Sequence, residues 1–331
     1  RTLTIDLNAM TYTLSRIAIA NCMPDDAAAA CPSKAFRTKD GGVKIWMTRN
    51  LNWNGGPEIG AMKLGSRLVP AYSGSATSGG YDPQDPYIER NPAYDEEESG
   101  GSVKGDQVVT DRHGRLYTLD EILLGTPAGG LGRGITSIEW PSAYNVGSTF
   151  VDAVGTQITA RVFKSAEMKA VTDDERFFAE NPALSAQIQG ICPYGWHVAN
   201  VQDFYDMLCA AAAAKGVTPN PLSAMIGKWS VPDVLRSAEG WSAAPTRHAA
   251  ADAFGFDFFP QGRRLFKSGY QYYASRGEMF ICHPGGLSSG VYQCWRINAL
   301  TNNAADLTVS TTYNIGDCSA SFRCVKNYEN F

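Results

Sequence analysis

Ile191-Cys192-Pro193-Tyr194-Gly195-Trp196-His197-Val198, continuing into Ala199-Asn200-Val201-Gln202-Asp203-Phe204-Tyr205, is the stretch whose reading decides the fold. Pro193 and Gly195 punctuate a turn, a short apolar run follows, and Asn200 stands where a helix N-cap belongs. Beyond it Val201, Phe204, Tyr205, Leu208 and Ala212 recur at 3.6-residue spacing, with Gln202 and Asp203 in the first turn and Gly216 just past Lys215. The pattern predicts an amphipathic helix from Val201 to about Lys215, with Cys209 on the inward edge of its stripe. Trp196, between turn and helix, reads as a core anchor, and His197 as a residue that fixes the turn through hydrogen bonds. Cys192 and His197 stand five apart with no third ligand nearby, a poor metal site.

Outward from this stretch the text is strand-like at Val43-Lys44-Ile45-Trp46-Met47. Thr118 with Glu121 makes a capping box ahead of Ile122-Leu123-Leu124, and a further helical stretch is predicted from Ser165 towards Phe178. Thr2-Leu3-Thr4-Ile5-Asp6-Leu7 alternates polar and apolar residues as a half-buried strand does. Asn21 to Lys39, which holds Cys22 and Cys31, reads as a loop closed by a local bridge. The Gly/Ser/Pro-rich span 55–106 carries the acidic run Asp95-Glu96-Glu97-Glu98, more simply a solvated loop than a calcium site. After Gly255, glycine, aromatic and β-branched residues give short strands and turns. Strands, then helices, then a loop-rich β region predict an α+β fold with one core. The divisions expected are an N-terminal strand-and-loop extension over 1–42 and one domain over 43–331.

The 331 residues carry a net charge of −4. No global basic field favours nucleic acid. The longest apolar run, around Leu208 to Ala214, is too short to cross a bilayer. Eight cysteines without a C-x-x-C pair point to disulfides in an oxidising compartment, hence to export. Gly125 to Gly134 is glycine-rich but lacks the Gly-Lys-Ser/Thr ending of a phosphate-binding loop, and none of the four histidines has a nucleophile elbow near it. Nothing calls for a cofactor or a metal.

Five segments in order resemble the Fibrobacter succinogenes major paralogous domain, a family common in exported proteins of Bacteroidetes: Lys44–Asn52, Gly114–Tyr117, Ile191–Val198, Phe256–Arg264 and Ser321–Lys326. The resemblance implies a C-type-lectin-like fold, similar also to the formylglycine-generating enzyme, with short antiparallel strands, two or three helices and long loops. It implies paired first and last strands and a bridge between Cys192 and Cys324. The span 55–106 is longer than the family pattern, and Tyr272-Tyr273-Ala274-Ser275 replaces the usual Trp-Ser-Ser. The calcium-dependent sugar motifs of true C-type lectins are absent, so lectin chemistry does not follow from the fold.

Two constellations bear on function. Cys282-His283 and Cys294-Trp295-Arg296 flank a Gly/Ser-rich hairpin turn, which favours a cross-strand disulfide. Their alternative use is in a thiol- or copper-dependent oxidase of the formylglycine-generating type. The stretch Tyr270 to Tyr313 has the Tyr/Asn/Ser/Gly composition of adaptable binding surfaces and is similar to the variable segment of diversity-generating-retroelement targets. Its candidate ligand-binding residues are Tyr272, Tyr273, Tyr292, Trp295, Arg296, Asn298, Tyr313 and Asn314. The expected bridges are Cys22–Cys31, Cys192–Cys324, Cys282–Cys294 and Cys209–Cys318.

The function expected is that of an exported cell-surface binding protein or adhesin, held at the outer membrane by a lipid anchor or carried on a pilus. Its partners would be a host or bacterial surface glycan or protein, and a neighbouring pilus subunit through the N-terminal strand. A structural envelope module is the blander alternative.

Overall fold

A computed structural model describes residues 32–51, 116–117, 122, 146–161, 163, 165–193, 195–238, 252–265, 269–271, 276–281, 295–301, 307–310 and 318–328. Strands β1 (Ser33–Arg37) and β2 (Val43–Met47) form an antiparallel hairpin with Phe36 opposite Lys44 and Ala35 opposite Ile45. β1 corrects the expected loop from Asn21 to Lys39 over these five residues, and the hairpin crosses the position 42/43 at which the extension was set off. Local text hides it because its support is tertiary: Phe36 packs its ring on Phe254, and the Lys34 ammonium reaches the Phe254 carbonyl.

The last strand of the chain closes this sheet. With β3 (Thr149–Val151) and β4 (Gln157–Thr159) forming a separate hairpin, the order in the main sheet is β1-β2-β13-β5, where β5 is Trp196–Val198 and β13 is Cys324–Lys326. Val325 pairs with Trp46 on one side and with His197 on the other, all antiparallel. The early and late strands are thus neighbours, and Cys192, in the turn before β5, is disulfide-bonded to Cys324.

The helices run α1 (Ser165–Lys169), α2 (Asp174–Glu180), α3 (Val201–Lys215) and α4 (Pro232–Leu235). The single helical stretch expected from Ser165 towards Phe178 is two helices. Asp173 between them turns extended and caps the second by accepting from Arg176 N, which a continuous helix would forbid. α3 agrees with its sequence signals at both ends. Asn200 and Asp203 exchange the bonds of a capping box, and Gly216, at φ 77°, is the left-handed C-cap. Val201, Phe204, Tyr205, Leu208 and Ala212 are all buried. Of the helix predicted after Thr118 only Ile122 lies within the described residues. It is buried, and its carbonyl accepts from Ile191 N. Gly190 makes that approach possible: at φ 53°, a Cβ there would sit 2.1 Å from the Ile122 carbonyl oxygen.

The late half builds two more antiparallel sheets. β6 (Lys228–Trp229), β9 (Arg276–Ile281), β10 (Trp295–Thr301) and β11 (Leu307–Ser310) lie in the order β6-β11-β10-β9. β7 (Arg263–Leu265), β8 (Gly269–Gln271) and β12 (Cys318–Ser319) lie in the order β12-β7-β8. Phe280 N donates to Ser321 O, which ties β9 to the segment leading into β13. One hydrophobic cluster joins α3, the main sheet and β9 through Trp46, Phe204, Trp229, Phe258, Phe280 and Phe322. The α+β class is therefore observed. No helix among the described residues is long and apolar enough to cross a membrane.

Candidate functional site and the buried polar joint behind it

The binding residues expected from the sequence lie between β8 and β12 along the chain. Trp295, Arg296 and Asn298 are on β10, opposite Ile281, Phe280 and Glu278 of β9. Arg296 and Asn298 also pair with Ser310 and Thr308 of β11. β9 is buried from Gly277 to Ile281, so both faces of this neighbouring strand are in the core. Tyr272, Tyr273, Tyr292, Tyr313 and Asn314 lie outside the described residues, as do Cys22, Cys31, Cys282 and Cys294. The last described pair before those two late cysteines is Ile281 opposite Trp295. The structure thus brings three expected binding positions together on one strand.

Cys209 is a free, buried thiol, which corrects the expected pair with Cys318. It sits on the inner face of α3 beside Tyr205, while Cys318 is on β12 opposite Leu265 of β7. Burial pushes the Cys209 thiol up to about 12, so it stays protonated and inert at neutral pH.

The most concentrated ionisable chemistry among the described residues is a joint that sequence reasoning did not single out. Lys44, on β2, points its ammonium at Asp203 Oδ1 (2.8 Å) and Asp206 Oδ2 (2.7 Å) of α3. The Tyr328 hydroxyl donates to Asp203 Oδ1 at 2.9 Å, and the Lys44 ammonium lies 4.5 Å from the centre of that ring. The other carboxylate oxygen, Asp203 Oδ2, meets His197 Nε2 at 2.9 Å and accepts from Asn200 N at 3.0 Å. His197 Nδ1 is 3.0 Å from Asn327 Oδ1. Burial alone would push the Asp203 carboxyl up, but the charges of Lys44 and His197 outweigh it and hold the group far below the usual carboxylate range. Burial alone would likewise lower Lys44, and Asp203, Tyr328 and Asp206 instead hold its ammonium well above its ordinary range. Asp206, mainly by burial, is raised.

A His–Asp pair invites a general-base reading, but both side chains have no exposure at all. A base must reach the proton it removes. This pair instead fixes the turn before α3, as the sequence expectation for His197 held, and Trp196 beside it is buried at 4% exposure. The wider joint fastens β2, β5, α3 and the C-terminal segment to one another. Its longest links, from Lys44 to Tyr328, Asp203 and Asp206, carry no local sequence signal. The one visible hint was a lysine inside an otherwise apolar strand.

A second joint centres on Arg323, exposed by only 1%. Its Nε donates to Asn50 Oδ1 at 2.8 Å and its Nη2 to the Asp257 carbonyl at 2.8 Å, while its Nη1 donates to the Phe256 carbonyl. The guanidinium lies over the Phe256 ring at 4.3 Å. Carbonyl oxygens and a ring face thus replace the water this cation gave up. On β9, buried Glu278 faces Arg276 at 3.5 Å and Arg263 at 3.8 Å. No group of three or more His, Cys, Asp or Glu among the described residues could hold a metal ion.

Comparison of the chain with known protein families, with curated proteins and with solved structures finds no match. The functional argument therefore rests on the geometry above.

Proposed function

We propose that this protein is an exported surface-binding module, an adhesin or receptor-binding domain on a C-type-lectin-like fold, whose ligand meets the late Tyr/Asn/Ser-rich segment. The observation that carries the reading is the anchoring of that segment. β9 is buried from Gly277 to Ile281, is tied to Ser321 before β13, and pairs with the strand bearing Trp295, Arg296 and Asn298. Binding residues are commonly carried on segments between strands of a rigid scaffold. Within this reading Trp295, Arg296 and Asn298 on β10 join Tyr272, Tyr273, Tyr292, Tyr313 and Asn314 in making the contacts.

Three features support the lectin-like assignment. β2 and β13 pair, so an early and the last strand meet in one sheet. The Cys192–Cys324 bridge joins the turn before the main helix to the last strand. Residues from separate family-like segments, Asn50, Phe256, Asp257 and Arg323, converge on one buried guanidinium. The disulfide also supports export, since cytosolic thiols stay reduced. The ligand is a surface glycan or protein, and the protein is held at the cell surface by a lipid anchor or within a pilus. The Gly/Ser-rich turn expected between Cys282 and Cys294 favours a cross-strand bridge over the free thiols an oxidase needs.

The test is binding of the full chain to arrays of host and bacterial glycans and surface proteins, followed by alanine variants at Tyr272, Tyr273, Tyr292 and Tyr313. At least one tyrosine should be an anchor worth about 2 kcal/mol, roughly thirtyfold in affinity, with an unchanged melting temperature. A scan in which every loss of binding tracks a loss of folding would defeat the proposal and favour a purely structural module.

A further inference from the structure

We propose that the outer edge of β1 is the docking site for an extended strand from a second copy of this chain, with Thr2–Leu7 as the incoming strand. The proposal rests on the reading above of a subunit in a surface assembly. Hydrogen-bond parity locates the edge. Thr38 N donates to Gly42 O at 2.9 Å and Thr48 N to Pro32 O at 2.8 Å, so the even-numbered residues of β1 exchange bonds with β2. The backbone N–H and C=O groups of Ser33, Ala35 and Arg37 therefore point away from β2, and among the described residues β1 is the last strand on its side of the sheet. All three residues are exposed.

An apolar stripe flanks this edge. Residues paired across a hairpin share a face, which puts Ala35 with Ile45, and Arg37 with Val43, on the outer side. Ala35 is exposed, Ile45 is half-buried and Val43 keeps 52% of its surface. Phe36 and Lys44, on the other side, are buried. Unpaired backbone groups beside an exposed apolar flank are what strand addition uses, the backbone supplying affinity and alternate side chains supplying fit.

Pattern and charge select the occupant. Thr2-Leu3-Thr4-Ile5-Asp6-Leu7 has apolar residues at every second position, so one row of side chains can cover Ala35, Val43 and Ile45. It contains neither Pro nor Gly. Its one charge is Asp6, whereas β1 carries the exposed cation Arg37 on its outer face. The 25 residues from Asn8 to Pro32 can span about 80 Å at ~3.3 Å each, ample to reach a neighbour. Val43 stays half exposed in its own chain, which leaves the stripe for another copy. A strand passed from each copy to the next is a head-to-tail contact, and unless it closes into a ring it propagates as a filament.

Sedimentation velocity of the full chain tests this. Ala35→Pro removes an outward N–H and leaves the bonds to β2 in place, Val43→Lys breaks the stripe, and Ile5→Asp spoils the incoming strand. The unaltered chain should self-associate with rising concentration, and each variant should weaken this by about tenfold or more at an unchanged melting temperature. Mixing Ala35→Pro copies with Ile5→Asp copies should restore one-to-one pairs, because one retains the strand and the other the edge. If Ala35→Pro lowers the melting temperature, Val43→Lys decides. A chain that stays monomeric at about 100 μM, or association indifferent to Ile5→Asp, overturns the proposal. Ligand binding on the arrays is read separately and does not depend on this outcome.

Discussion

Replacing Asp203 by asparagine isolates the charge of the buried joint while keeping its size. The carboxylate accepts four hydrogen bonds, from the Lys44 ammonium and the Tyr328 hydroxyl on Oδ1 and from His197 and Asn200 N on Oδ2. An asparagine has one acceptor oxygen and turns an NH₂ towards the other pair; the Tyr328 hydroxyl and a His197 ring nitrogen can switch to accepting, but either the Lys44 ammonium or Asn200 N loses its acceptor whichever way the amide points. Each such loss costs about 1–3 kcal/mol, and breaking a buried ion pair from one side costs about 3–5 kcal/mol. The two routes meet at roughly 3 kcal/mol, softened because Asp206 still holds Lys44 at 2.7 Å. Calorimetry should then show a melting temperature lower by roughly 5–12 °C. The double variant Lys44→Met with Asp203→Asn should be less destabilised than the sum of the singles, by about 2 kcal/mol. Asp203 has a depressed pKa in the folded state, so its contribution is present above the ordinary carboxylate range and lost as pH falls through the lower folded value. Lys44 is raised, so its contribution is present below its unfolded pKa and lost as pH rises through the higher folded one. Wild-type protein should therefore hold this stability between about pH 4 and pH 10, and Asp203→Asn should flatten the acid limb. A loss under about 1 kcal/mol, or an unaltered acid limb, would refute the argument.

Other expectations follow from separate contacts. Trp196→Ala should cost about 3–5 kcal/mol in urea titrations, since Trp196 on β5 is buried in the hydrophobic cluster; a small loss there would mean that the side chain is not a core anchor. Replacing both Cys192 and Cys324 by alanine opens a tie across a sequence separation of 132 and should destabilise by about 5 kcal/mol in the chain-entropy model. Peptide mapping of the same protein should find Cys282 joined to Cys294, and finding both as free thiols would revive the oxidase reading. Cys209 should resist alkylation at pH 8 until the protein unfolds, given a thiol pushed up to about 12; rapid native labelling would contradict its burial.

The bounds of α3 were legible because every signal was local: a cap at Asn200, apolar spacing through Ala212 and a left-handed residue at Gly216. β2 was legible for the same reason, as a short apolar run. The break between α1 and α2 was not, because Asp173 can end one helix or ride inside another, and only its bond to Arg176 N decides. In the candidate site, sequence placed the aromatic segment late in the chain but could not say that Trp295, Arg296 and Asn298 run beside a strand buried on both faces.

By itself, then, the sequence determined the elements whose cues lie within one or two turns of chain: the main helix with its caps, the strand at Val43–Met47, and Trp196 and His197 as parts of a structural turn. The α+β class followed from their order, and the Cys192–Cys324 tie from the family resemblance. Tertiary structure alone decided that Ser33–Arg37 is an edge strand, that Cys209 stays unpaired, and that Lys44, Asp203, His197 and Tyr328 form one buried joint. The reason is physical. A helix closes its hydrogen bonds four residues away and so writes its rules locally, whereas a strand edge or a buried charge is defined by groups that chain folding brings from far along the sequence.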